Sequence, residues 1–136
     1  IRNCLVGSEM CIRDSYDYLA TISDLVGVTP PYKTDGISFL PTLKGKTQEK
    51  HEYLYWEFPS YGGQQAIRIN KWKGIKKGLI KGQSKLKLYN LSLDLKELND
   101  VASEFPEIVV KMENIMKGAH KTPKMDIFKI PALEND

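Results

Sequence analysis

The stretch from Tyr53 to Leu91 constrains the fold more than any other part of this chain. It begins YLYWEF, in which four of six residues are aromatic. Aromatic side chains suit a pleated, half-buried surface, so this run reads as a strand. Neighbouring strand residues point to opposite faces, which sets Leu54, Trp56 and Phe58 on one side and Tyr53, Tyr55 and Glu57 on the other. Pro59 and Gly62-Gly63 punctuate the run and let the chain turn back. In the return, Gln65, Ile67 and Ile69 alternate with Ala66, Arg68 and Asn70. Asn tolerates a left-handed backbone, so Asn70-Lys71 predicts a tight turn. Trp72 and Ile75 carry a third strand, and Leu86, Leu88, Tyr89 and Leu91 a fourth. Residues 79–85 between them read as an exposed loop. The expectation is a four-stranded antiparallel meander.

A meander of this kind needs a cover, and the chain supplies one. Ile108, Val109, Met112, Ile115, Met116 and Ala119 recur at helical spacing and form a wide apolar stripe over about three turns. Pro106 suits the first turn, where its missing N–H costs nothing, and Gly118 predicts the end. This helix is expected to lie across the sheet, giving an α+β fold. Asp94 to Glu97 predicts a turn into a short helical segment ending at Ala102, and residues 120–136 a polar tail.

Upstream, residues 16–28 predict a helix whose apolar stripe is Leu19, Ile22, Leu25 and Val26. Gly27 is its C-cap, and Pro30-Pro31 forbids continuation. Asp35-Gly36 is a turn into a short apolar segment, and residues 47–52 are a polar link. Residues 1–15 fit none of this. The piece SEMCIRDS reads as translated sequencing-adapter text, so 1–15 are expected to be an artefact or poorly packed. The organisation expected is therefore 1–15, then 16–46, then a sheet-plus-helix subdomain at 47–125, then a tail at 126–136.

No apolar run approaches the roughly 20 residues that cross a bilayer, and the start IRNCLVG is not a usable signal peptide. The net charge of +3 is unevenly spread: residues 58–93 hold eight bases and no acid, while the remainder is acidic. A one-sign patch of this kind concentrates anionic ligands, and it equally blocks edge-to-edge aggregation. Cys4 and Cys11 lie too close to the start to define a disulfide framework or a redox compartment. No His/Cys/Asp set has metal-ligand spacing. His51, beside Glu49 and Glu52, reads as a surface residue, and His120 as a cation at a helix C-terminus. Ser38 and Ser60 have no base at motif spacing, and Gly62-Gly63 lacks the Lys-Ser/Thr of a phosphate loop.

Six segments in order carry a family resemblance: TISDLVGVTPP, DGISFLPTLKGK, HEYLYWEF, GGQQAIRINKWKGIK, LKLYNLSLDLKELNDVA and FPEIVVKMENIMKGAH. Together, over about residues 16–125, they resemble the C-terminal part of a type I sulfatase of the alkaline-phosphatase-like superfamily. Bacterial arylsulfatases and N-acetylgalactosamine-6-sulfatase-like enzymes are the nearest in look. Ala20 and Leu95 stand where Pro is usual in that family. The resemblance implies hydrolysis of sulfate esters, and a periplasmic or secreted setting. It also implies a formylglycine made within a Cys/Ser-x-Pro-x-Arg motif and one Ca²⁺, both expected upstream. Neither CLVGS nor CIRDS fits that motif, so no catalytic residue, metal ligand or cofactor is expected in this chain itself. Residues 16–46 would then be the end of the catalytic α/β domain, without the parallel sheet they normally cover.

Glu57, Gln65 and Arg68 are the candidate substrate-cleft residues. Glu57 interrupts an aromatic strand, and Arg68 is the first base of the acid-free stretch and could grip a sulfate bidentately. The alternative for two of them is an internal Glu57–Arg68 cross-strand pair. Three functions compete. One is a piece of a sulfatase acting on sulfated carbohydrate. Another is a free-standing basic module binding anionic glycans through Trp56, Trp72 and the lysines. The weakest is a nucleic-acid binder, because the aromatics cluster in the first strand and the bases in the third and fourth.

Overall fold

The computed structural model describes residues 15–82 and 85–134. The expectation for residues 1–15 therefore lies outside the described residues, Ser15 excepted. The chain divides into two units, one ending at His51 and one beginning at Glu52.

The first unit carries α1 (Ser15–Val26) and α2 (Leu40–Leu43). Gly27 takes a left-handed φ of 71° and closes α1. Its N–H donates to the Asp24 carbonyl and that of Val28 to Ser23, a Schellman cap. The packed face of α1 is polar: Asp17, Thr21 and Ser23 are buried, while Leu19, Ile22, Leu25 and Val26 are exposed. Hydrogen bonding explains this choice. Residues 37–39 run without a ladder partner, and their N–H groups need acceptors. Ile37 N–H donates to the Asp17 carboxylate at 2.8 Å, and Phe39 N–H to the Thr21 hydroxyl at 3.0 Å. Ser38 in turn donates to Asp24 at 2.7 Å. Gln48 ties the link to this unit by donating to the Ser38 carbonyl at 2.9 Å.

The second unit is the expected meander: β1 (Leu54–Phe58), β2 (Gln64–Ile69), β3 (Trp72–Lys77) and β4 (Lys87–Asn90), antiparallel in the order β1-β2-β3-β4. Asn70 turns the chain with φ 51°. The register pairs Phe58 with Gln64 and Gln64 with Lys77, and centres Gly74 between Ile67 and Leu88. Helix α3 (Pro106–Ala119) covers one face only. Met112 and Met116 join Ile67, Leu86 and Leu88 in a closed core, with Tyr55, Trp72, Phe105, Ile108, Val109 and Ile115 packed around it. The covered face is thus the one bearing Tyr55 and Glu57. Gly74 decides it, because a Cβ there would stand 2.9 Å from Met112 Sδ, so the helix rests on the strand where a side chain is missing.

Four local expectations fail. Residues 94–102 form turns, because Asp94 and Asp100 accept backbone N–H bonds that a helix would need. Asp100 accepts from Leu88 and Ala102, while Val101 N–H bonds the Leu88 carbonyl beside β4. The loop after β3 contains a 3₁₀ turn, Leu79–Lys81, whose Leu79 is fully buried rather than exposed. Gly118 lies inside α3, which ends at Ala119 with His120 as its cap. Finally, the polar tail is anchored: Ile130 is 1% exposed and approaches Gly63.

Candidate functional site

Both histidines are built into carboxylate pairs. In the first unit His51 is no surface residue, since its Nε2 lies 2.9 and 3.1 Å from the two oxygens of the buried Asp17. Asp17 thus serves Ile37 N–H and His51 at once, which satisfies a carboxylate that burial would otherwise penalise.

In the second unit, Glu57 and Gln65 face each other across β1 and β2 on the helix-covered side. Gln65 is 4% exposed and donates through Nε2 to the Tyr55 hydroxyl at 2.6 Å. Tyr55 donates in turn to Glu57 Oε1. The same oxygen receives His120 Nδ1 at 2.6 Å. A carboxylate only accepts, so Nδ1 carries the proton of this pair. His120 Nε2 then faces Glu134 Oε1 at 3.8 Å, and both atoms are buried without a hydrogen-bond partner among the described residues. The Tyr55 phenol is pushed up, first by burial and then by its bond to Glu57 and that group's charge, with Gln65 acting in the opposite sense. Tyr55 therefore remains a neutral donor. The cluster orients an imidazole between two carboxylates, with the Tyr55 hydroxyl on the Glu57 oxygen that it shares.

A cavity of about 130 Å³ opens beside this network, lined by Gln65, Lys76, Met116, Lys117, His120 and others. That is below the roughly 300–1,000 Å³ of small-molecule pockets. Lys76 there is paired with Glu113 at 2.9 Å.

Arg68 is not part of this group. It stands opposite Leu54 and Lys73, on the other face and toward the far end of β2, with Nε donating to the Asn70 carbonyl at 3.2 Å. The structure brings together Glu57 and Gln65 and leaves Arg68 apart, so the internal Glu57–Arg68 pair is overturned. On the Arg68 face, Lys73 pairs with Glu97 at 2.5 Å and Tyr89 is buried. Burial, and then the charges of Asp100, Glu97 and Asp94, raise the Tyr89 phenol.

Trp72, named above for the glycan role, is half-buried. Its ring packs on Phe105 at 4.8 Å against the helix-covered core, with Lys71 Nζ 5.3 Å from its centroid. Among the exposed aromatics, Phe58 and Tyr61 stack at 6.1 Å and 16°. Sequence reasoning missed His120 because its partner Glu57 is 63 positions away. Among the described residues no three His, Cys, Asp or Glu side chains gather as metal ligands. No helix among them is long and apolar enough to cross a membrane.

The fold recurs in sulfatases. A crystal structure of a putative sulfatase from Bacteroides thetaiotaomicron superposes with a TM-score of 0.65 at 25% identity, over 75% of this chain and 23% of that one. A second structure, from work on the metabolism of multiple glycosaminoglycans by the same organism, gives 0.58 at 27% identity over 75% and 24%. A third, solved in complex with its substrate D-glucosamine-2-N,6-O-disulfate, gives 0.62 at 18% identity over 75% and 22%. These define the class, a sulfatase C-terminal α+β subdomain. The family model for the C-terminal region of N-sulphoglucosamine sulphohydrolase matches residues 6–122, and the chain belongs to that family. The match takes in part of the first fifteen residues. Arylsulfatase K of Bos taurus is 28% identical over 134 residues, covering 90% of this chain and 24% of the relative. The chain spans about a quarter of the length of the relatives it matches.

Proposed function

We propose that this chain is the C-terminal portion of a sulfatase that hydrolyses sulfate esters of carbohydrates, and that the catalytic site itself lies outside it. The observation that carries the reading is the match to the sulphohydrolase C-terminal family over residues 6–122. Relatives named arylsulfatase support ester hydrolysis, and the neighbour studied in glycosaminoglycan metabolism supports a sugar substrate. In this reading formylglycine and Ca²⁺ belong to the part of the enzyme that precedes these residues, and the enzyme is periplasmic or secreted. Residues 16–46 are the close of the catalytic domain. Of the three cleft candidates, Arg68, on the face opposite the helix, grips an anionic group, while Glu57 and Gln65, on the helix-covered face, hold the β1–β2 wall in shape.

The test is sulfate release from a heparin-derived oligosaccharide. The full-length enzyme is expected to turn over and the 136-residue chain to be inert. Turnover by the chain alone would overturn the placement of the site, and none by the loaded full-length enzyme would overturn the reaction class. Arg68→Ala in the full-length enzyme is expected to raise KM with little change in melting temperature.

A further inference from the structure

The turn between β1 and β2 holds two aromatic rings in water. Tyr61 is 83% exposed and Phe58 43%, and their rings stack at 6.1 Å and 16°. That geometry lies in the range of favourable offset stacking, so the rings fix one another. Tyr61 has φ 55°, a region that costs a non-glycine residue energy and is worth explaining when occupied. The turn around it is tied to the segment that follows β3. Gly62 and Gly63 accept N–H bonds from Ile80 and Leu79 at 3.0 and 3.2 Å, and Gly63 is wedged against Leu79 and Ile130. The strain is therefore held by packing, and it points an aromatic face outward.

Two lysines lie on β3 and the turn that follows it. Phe58, Gln64 and Lys77 occupy one cross-strand row and so one face of the sheet. Lys81 follows Ile80, the residue bonded to Gly62. Lys77 and Lys81 are both exposed, and neither has a carboxylate partner among the described residues. No acid occurs in residues 58–93, so no sequence neighbour neutralises them.

We propose that Phe58 and Tyr61 form a platform on which one pyranose ring of a sulfated oligosaccharide stacks, with Lys77 and Lys81 receiving its sulfate. A pyranose has one face of weakly positive C–H groups, which matches the negative face of an aromatic ring, while its sulfate needs a cation within reach. Because the two rings stack on each other, each keeps one outer face, and one such face suffices for a single pyranose. A strand of successive nucleotide bases would need several such faces along a basic groove. The class of ligand rests on the sulfatase reading above; the site itself does not.

The experiment is amide chemical-shift mapping and affinity measurement on the whole chain with a heparin tetrasaccharide. Inorganic polyphosphate and an eight-residue oligothymidylate serve as competing polyanions. Shifts are expected over 58–63 and 77–81. Tyr61→Asn suits a left-handed backbone and removes the ring; it should weaken heparin binding about threefold to tenfold. Phe58→Ala should act in the same direction, and Tyr61→Phe should bind as the parent. Equal affinity of Tyr61→Asn and the parent, shifts confined to the lysines, or equal affinity for polyphosphate or oligothymidylate would each overturn the platform. In the full-length enzyme, sugar-sulfate turnover untouched by Tyr61→Asn removes the platform alone. A parent enzyme that releases no sulfate removes the sulfatase reading instead.

Discussion

Replacing Gly74 by alanine tests the packing of α3 on the sheet, because the sign of the effect is at stake. In an open strand, Gly→Ala stabilises by about 0.5–1 kcal/mol through lost chain entropy. Here the new methyl would lie 2.9 Å from Met112 Sδ, 3.0 Å from Ile67 Cγ2 and 3.2 Å from Leu86 Cδ1. Met112 and Ile67 are 0% exposed and Leu86 2%, so relief requires the helix or its methionine to move. Overpacking of this kind costs typically 1–3 kcal/mol, leaving a net loss of about 1–2 kcal/mol. For a domain of this size that lowers the melting temperature by roughly 5–10 °C. Both tryptophans, Trp56 and Trp72, belong to the second unit, so their fluorescence in a urea titration reads that unit alone. Met112→Ala by itself should cost about 2–5 kcal/mol as a buried truncation. Combined with Gly74→Ala it should cost less than the sum, since the added methyl enters the vacated space. A stabilising Gly74→Ala, or strictly additive effects, would refute the placement of the helix on this face.

Other consequences concern the carboxylate pairs and the tyrosines. Asp17→Ala strands the Ile37 N–H and the His51 ring; a loss of about 1–3 kcal/mol in the first unit is expected, with faster hydrogen exchange at Ile37. His120→Ala leaves the half-buried Glu57 and Glu134 without the imidazole between them, and a loss of about 1–3 kcal/mol by urea titration is expected; a neutral result would contradict the network. Tyr55 and Tyr89 have raised phenol values, so the folded state keeps protons that the unfolded state releases near pH 10. Stability is then intact below about pH 10 and falls as pH rises above it. Tyr55→Phe should flatten that decline, and an unchanged slope would count against the Tyr55–Glu57 contact.

Much of the second unit was legible from residue order because its signals are local. Alternation in YLYWEF and QQAIRIN, the asparagine turn at Asn70 and the stripe from Ile108 to Met116 each need only neighbouring residues. Which face the helix takes was not legible, since β1 presents aromatics on both sides and the deciding feature is an absent side chain at Gly74. The register depended on the length of the β1–β2 turn. Once Phe58 faces Gln64, Glu57 must face Gln65, and Arg68 falls opposite Leu54. The stripe on α1 was read correctly as apolar, yet its polar edge makes the contacts within the first unit, through Asp17 and Thr21. His51 and His120 find carboxylates 34 and 63 positions away, and no spacing rule reaches that far.

The most direct measurement is the reading frame that leads into Tyr16 in the source genome. It should run back without interruption through about three further lengths of this chain to a Cys/Ser-x-Pro-x-Arg sequence, as the 24% coverage of its relatives implies. A start codon immediately before Tyr16, with no such sequence upstream in frame, would contradict the account.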